Sequence, residues 1–273
     1  MNLSAHLAVS IRAAIDAGQT ILDIRARSFH VEHKTDGSPV TDADLAADSL
    51  IRERLSAAFP EIPQLTEETA DSAARLSAAD CFIVDPLDGT REFVKQNGEF
   101  TVNIALVHDH RPVVGVIYAP CLDQLWYAAE GIGVFRVDSA SQRSDSQLPE
   151  AAKPIHVSTR TKNLTLLVSR TSLPTVEAKL DNLPGVVCVQ PTSSSLKGCR
   201  IAEGSADVSI CNHGTYEWDT AAMQCIAAEA GAILRFLDGS EIVYNRSNPH
   251  NEQGHFLCNR PENLKIVDKL LGL

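Results

Sequence analysis

An apolar run, Cys81-Phe82-Ile83-Val84, ends abruptly in Asp85-Pro86-Leu87-Asp88-Gly89-Thr90, and no other stretch constrains the chain so strongly. A short continuous apolar run reads as a buried strand. At its end stand two carboxylates three residues apart. Pro86 fixes one backbone dihedral between them, and Gly89 permits a tight turn before Thr90. Carboxylates held on a rigid turn at a strand end suit a hard divalent cation. Magnesium takes oxygen ligands in near-octahedral geometry and keeps several of its waters. Two aspartates at this spacing elsewhere would more often read as a capped turn; the apolar lead-in and the Pro-Gly frame favour the metal reading here.

The rest of the chain is long enough to surround such a site. Its 273 residues allow one large domain or two ordinary ones with a sizeable core. The formal net charge of -11 argues against binding a nucleic acid polymer or an anionic membrane. No apolar run is long enough to span a bilayer, and Met1–Ser10 lacks the basic-then-apolar order of a signal peptide, so the chain reads as cytoplasmic. The seven cysteines are scattered with no CxxC pair, which disfavours a disulfide framework or a zinc site and leaves buried free thiols.

Hydrophobic periodicity predicts a helix over Leu3–Arg27 and, after a polar loop at Lys34–Val40, a second over Thr41–Phe59 capped by Thr41 or Asp42. Strands follow at Cys81–Val84, Thr101–Val107, Val113–Tyr118, Gln124–Ala129 and Gly133–Val137, with His108–Pro112 as a polar hairpin tip. The polar stretch Asp138–Lys153 reads as a linker or boundary. Beyond it, strands at Leu164–Ser169, Val186–Gln190, Ala206–Cys211, Ala232–Phe236 and His255–Cys258 alternate with helices at Ser195–Glu203, Trp218–Ala230 and Glu262–Leu271. That alternation is the mark of a layered α/β (α+β) architecture. The division expected is an N-terminal subdomain, 1–150, and a C-terminal one, 151–273, sharing a cleft.

Two further acidic points stand apart in sequence. Glu67-Glu68 follows the Pro-containing segment Ile62-Pro63-Gln64-Leu65, and Trp218-Asp219-Thr220 opens a helix. Alone, paired glutamates are usually a solvated face, and a first-turn Asp is usually a cap complementing the helix dipole.

Taken together, DPLDGT at 85–90, the glutamate pair upstream, WDTAA at 218–222 downstream and the segment Lys34–Asp44 resemble the inositol monophosphatase superfamily of lithium-sensitive, magnesium-dependent phosphatases, block for block and in order. The resemblance implies a layered α/β/α/β/α sandwich. It implies two or three Mg2+ ions on Glu67, Asp85, Asp88 and Asp219 with the Leu87 carbonyl, and a water nucleophile oriented and deprotonated by Thr90 and Glu67. It also implies a hydrogen bond from Thr90 to Asp44, phosphate held on the backbone N–H groups of Gly89 and Thr90, and a homodimer as an open option. The choice of Glu67 over Glu68 rests on that pattern. The chemistry agrees, because cations neutralise the dianion, acidify water and stabilise the leaving oxygen. No Cys-x5-Arg, DxDxT or GxxxxGK string offers another route.

Substrate choice falls to the second half. In Thr192-Ser193-Ser194-Ser195-Leu196-Lys197 a serine-rich turn and a lysine open a helix, an arrangement that suits a second phosphate. This form resembles the 3′(2′),5′-bisphosphate nucleotidases, which remove the 3′-phosphate from adenosine 3′,5′-bisphosphate, a by-product of sulfate assimilation. The resemblance thus implies a small-molecule phosphate ester, with the nucleotide bisphosphate or its sulfated form favoured and its second phosphate read by Ser194 and Lys197. Glu217, just before Trp218-Asp219, reads either as a contact for a sugar hydroxyl or as a surface glutamate, and His213 and Tyr216 in the same loop either as contacts for the adenine or ribose or as partly exposed loop residues. The alternatives are a plain helix cap with a solvated lysine, a phosphatase for inositol or another polyol phosphate, and a non-catalytic binding protein on the same fold. Thr69–Asp80 and Asp138–Pro149 carry no assignment.

Overall fold

A computed structural model describes residues 2–35, 37–178, 183, 185–193 and 195–272. The chain opens with α1 (Leu3–Arg25), a hairpin of β1 (Val31–His33) and β2 (Pro39–Thr41), and α2 (Asp42–Ala58). Next come β3 (Gln64–Thr66), β4 (Asp80–Asp88), the short α3 (Thr90–Val94), β5 (Thr101–His108), β6 (Arg111–Ala119), β7 (Gln124–Ala129), β8 (Gly133–Asp138), α4 (Leu148–Ala151) and β9 (Lys153–Pro154). The second half runs β10 (Leu164–Val168), α5 (Leu173–Glu177), β11 (Val186–Pro191), α6 (Leu196–Ala202), β12 (Val208–Cys211), β13 (Thr215–Tyr216), α7 (Glu217–Ala230), β14 (Ile233–Phe236), β15 (His250–Asn251), β16 (His255–Cys258) and α8 (Leu264–Leu271).

Strands β3 to β9 form a seven-stranded sheet in sequence order, antiparallel except for the parallel β3–β4 pair. Alternation along these strands serves two faces. Phe82, Val84, Val102, Ile104, Val114 and Val116 pack under α1 and α2. Cys81, Ile83, Ala105, Val107, Ile117 and Trp126 face the opposite way, against α6 and α7. Gly115 belongs to that second face because a Cβ there would stand 2.5 Å from the Ala222 carbonyl oxygen; α7 lies that close to β6.

The second sheet has the order β11-β10-β12-β16-β14, with β10 parallel to both β11 and β12. Leu167, Leu234 and Leu257 turn inward to α6 and α7, while Leu166, Val208 and Phe256 share the outer core with α5 and α8. The layers are therefore helix pair, sheet, helix pair, sheet, helix pair, as expected.

Three local readings differ. The strand predicted to stop at Val84 continues as β4 through Pro86 to Asp88, its pairing with β5 skipping between Asp85 and Asp88. Proline is tolerated at such an irregularity because no ladder donor is needed there. Pro39 and Val40, expected as loop, belong to β2 and pair with His33 and Glu32 of β1. The polar segment after Asp138 folds back, burying Ala140 and Leu148 in the first core while Arg12 binds Asp145. All seven cysteines are free, and among the described residues no helix is long and apolar enough to cross a membrane.

Candidate metal centre and active site

The irregularity in β4 aims both of its aspartates into one space, and α7 brings the third acid from the far side. One carboxylate oxygen each from Asp85, Asp88 and Asp219 lie within 4.8 Å of one another. Asp219 occupies the third helical position of α7, where its Oδ2 accepts the Tyr216 N–H at 2.6 Å. Asp85 Oδ1 accepts the Leu87 N–H at 3.0 Å, folding the turn onto itself. Asp88 Oδ2 accepts from the Ser195 N–H at 2.9 Å, the Ser195 hydroxyl at 2.7 Å and Asn103 Nδ2 at 3.3 Å.

Thr90 opens α3, behind Gly89 at φ 96°, a left-handed turn that favours glycine. Its Oγ1 donates to Asp44 Oδ1 at 2.9 Å and lies 3.3 Å from the Leu87 carbonyl. Asp44 Oδ2 in turn accepts from the Thr41 N–H at 2.8 Å and the Thr41 hydroxyl at 2.6 Å. The α2 capping box therefore fixes Asp44, and Asp44 fixes the Thr90 rotor. Glu67 lies beside this group, at the end of β3. Its Oε1 and Glu68 Oε1 each receive the Lys34 ammonium at 2.7 Å.

The electrostatics are those of crowded acids. Burial, then the charges of Glu67, Asp88 and Asp219, push Asp85 well above the ordinary carboxylate range. Burial and then Asp88 do the same to Asp219. Burial raises Asp44 against its hydrogen bonds, raises Glu67 against Lys34, and lifts Glu68 to about 7. Burial disfavours the Lys34 charge, but the two glutamates outweigh it and raise its pKa. Among the described residues no Lys, Arg or His pairs with Asp85, Asp88 or Asp219. Buried carboxylates with converging oxygens and no cationic side chain fit a hard divalent cation held by oxygen.

The expected ligands Asp85, Asp88 and Asp219 thus converge, with Glu67 and the Leu87 turn adjacent. Of the expected substrate residues, Ser194 lies outside the described residues. Lys197 sits in the first turn of α6, 9% exposed. Glu217 requires a correction. It is fully buried, its Oε2 accepts the Asn245 N–H at 2.6 Å, and its Oε1 accepts the Arg246 N–H and Nε, both at 3.0 Å. With both oxygens committed, Glu217 anchors the 245–246 loop and does not face a sugar. Asn103, Ser195 and Lys34 were not foreseen as partners of the acids. The one local sign was polar Thr101 and Asn103 inside the otherwise apolar β5.

Residues 2–265 match the sequence model of the Inositol monophosphatase family. The chain is 39% identical over 236 residues to the 3′(2′),5′-bisphosphate nucleotidase CysQ of Salmonella typhimurium, covering 85% of this chain and 90% of that protein. It is 34% identical over 248 residues to the protein of the same name in Aggregatibacter actinomycetemcomitans, covering 89% of each. Among solved structures, CysQ of Bacteroides thetaiotaomicron superposes with a TM-score of 0.78 at 33% identity, covering 95% of this chain and 98% of that one. With its fold and nearly its whole length matched, the chain belongs to the inositol monophosphatase family.

Proposed function

We propose that this protein is a magnesium-dependent phosphomonoesterase that removes the 3′-phosphate of adenosine 3′,5′-bisphosphate. The convergence of Asp85, Asp88 and Asp219 beside the Thr90–Asp44 pair carries the hydrolase reading. The substrate reading is supported by relatives named 3′(2′),5′-bisphosphate nucleotidase.

Glu67, Asp85, Asp88, Asp219 and the Leu87 carbonyl would hold two or three Mg2+ ions, which supply charge neutralisation, an acidified water and a stabilised leaving oxygen. The protein supplies orientation. The Thr90 proton is committed to Asp44, so the hydroxyl oxygen is left as an acceptor for a proton of the attacking water. Glu67, beside it, accepts the proton that the water gives up as its oxygen bonds to phosphorus and the ester oxygen departs. Asp44 acts through Thr90. The backbone N–H groups of Gly89 and Thr90 receive the phosphate oxygens. Lys197 meets the second phosphate, with Ser194 kept as a further expected contact. In this division, 1–150 carries most of the metal ligands, and 151–273 carries Asp219 and the specificity residues.

The test is phosphate release from adenosine 3′,5′-bisphosphate and from inositol 1-phosphate, in parallel, with Mg2+ and with EDTA. The expected result is Mg2+-dependent release with preference for the nucleotide. A preference for inositol phosphate would overturn the substrate reading and leave the metal chemistry standing. No Mg2+-dependent release from any ester would overturn both.

A further inference from the structure

The parallel strands β11, β10 and β12 end side by side, and in open α/β sheets ligands collect outside the carboxyl ends of the strands. The loop after β10 carries Arg170, and the turn after β11 carries Ser193 and leads into Lys197. A carboxylate from the other half of the chain reaches this edge. Glu99, just ahead of β5, accepts from the Ser193 N–H at 3.2 Å and the Ser193 hydroxyl at 2.9 Å on Oε2, and pairs with Arg170 Nη2 at 2.7 Å on Oε1.

Two residues on, Ser195 is held by Asp88 through its N–H and hydroxyl. Ser193 and Ser195, just ahead of α6, are thus each held by a carboxylate of the first half of the chain. Asp88 is one of the three clustered acids. Glu99 is not, so a different requirement must account for its place. A substrate with two phosphates needs a fixed distance between the centre that reacts and the centre that recognises the other phosphate, and small misplacements there are costly. Glu99 joins Ser193 through one carboxylate oxygen and the Arg170 guanidinium through the other. Arg170 is half-exposed, and its planar set of five donors suits phosphate oxygens.

We infer that Glu99 is a positioning residue that holds Ser193, ahead of α6 and its Lys197, and Arg170 in place to receive the substrate's second, non-reacting phosphate, with Arg170 as a further contact for it. This rests on the bisphosphate reading proposed above.

The experiment compares wild type with Glu99→Gln, Arg170→Ala and Arg170→Lys, using adenosine 3′,5′-bisphosphate and adenosine 3′-monophosphate as substrates. Glu99→Gln keeps an acceptor for Ser193 and removes the charge that orients Arg170; Arg170 is exposed enough for its variants to fold independently of that change. Glu99→Gln and Arg170→Ala should each raise KM for the bisphosphate about tenfold, the scale of one lost charge-assisted hydrogen bond, with kcat within about threefold. The preference for bisphosphate over monophosphate should fall by a similar factor, and Arg170→Lys should recover part of it. The Mg2+ dissociation constant, read by calorimetry, should stay at its wild-type value. Equal losses on both substrates, or an unchanged preference, would overturn the inference. A wild type with no preference for the bisphosphate would instead bring down the substrate reading beneath it.

Discussion

Replacing Asp85 by Asn isolates what the acidic cluster costs the fold without a cation. The substitution is nearly isosteric, and the Asn carbonyl can still accept the Leu87 N–H. Across 4.8 Å, two unit charges repel by about 3.5 kcal/mol at an effective dielectric constant of about 20. With Asp88 and Asp219 both that near, an ionised Asp85 faces about 7 kcal/mol of repulsion. Taking up a proton at about pH 8 instead costs at most roughly 5–6 kcal/mol, at about 1.36 kcal/mol per unit above a reference near 3.9. The cheaper route sets the ceiling, and local relaxation lowers it further, so the variant should gain about 2–4 kcal/mol in EDTA. At an unfolding entropy of roughly 2.1 cal/mol/K for each of 273 residues, this is a Tm rise of about 4–7 °C. The sign follows from the raised pKa values of Asp85 and Asp219. A carboxyl that is harder to ionise when folded makes the metal-free protein lose stability as pH rises from the unfolded value through the folded one. The gain on mutation should therefore shrink toward pH 5. Magnesium at a hundredfold its Kd should stabilise wild type by about 2.7 kcal/mol, or about 5 °C, and the variant, lacking one ligand, by far less. Thermal unfolding of both proteins across pH, with EDTA and with Mg2+, reads all of this. A variant less stable than wild type in EDTA, or equally stabilised by Mg2+, would refute the reasoning.

Three further substitutions follow from the same geometry. Thr90→Val removes the hydroxyl that Asp44 orients and should lower kcat by about 10²–10⁴-fold while calorimetric Mg2+ binding persists; Thr90→Ser should retain most activity. Lys34→Gln removes the ammonium that competes for Glu67 and Glu68, so calorimetry should show Mg2+ binding tightened several-fold, and weaker binding would contradict the competition. Glu217→Gln leaves one side of the carboxylate unable to accept from the 245–246 backbone or from Arg246; denaturant unfolding should show a loss of about 3–5 kcal/mol, and a loss below about 1 kcal/mol would mean the loop has other anchors.

How much of this site was legible depended on how far apart its partners lie in the chain. Asp85 and Asp88 could be read because the apolar lead-in, the proline and the glycine that frame them are immediate neighbours. The Thr41–Asp44 capping box is equally local. Asp219 read only as a helix cap until the resemblance placed it with the others, and it remains both: the same carboxylate caps α7 at Tyr216 and joins the cluster. Glu217 was misread for the opposite reason. A glutamate at a helix start is ordinarily solvated, and nothing near it announces that Asn245 and Arg246, on a loop well beyond the helix, will close over it. The grip of Lys34 on Glu67 and that of Glu99 on Ser193 likewise join segments remote in sequence, and only packing of the layers brings them together.

These contacts also divide the labour between rigid and variable parts of the fold. Asp85 and Asp88 stand on β4, an interior strand buried on both faces, and Asn103 of β5 and Ser195 before α6 hold Asp88 in place. Such a cluster cannot shift without disturbing two cores, which suits a centre whose charges must be placed before the substrate arrives. The groups proposed for the second phosphate instead lie beyond strand ends, Arg170 in the loop after β10 and Lys197 in the first turn of α6 that follows β11, off the sheet itself. Glu99 and Asp88 are two of the points where that edge is tied to the fixed centre. A relative that exchanged Arg170 and Lys197 but kept these two ties would keep hydrolysis and change its ester, which is how one fold can carry several phosphatase specificities.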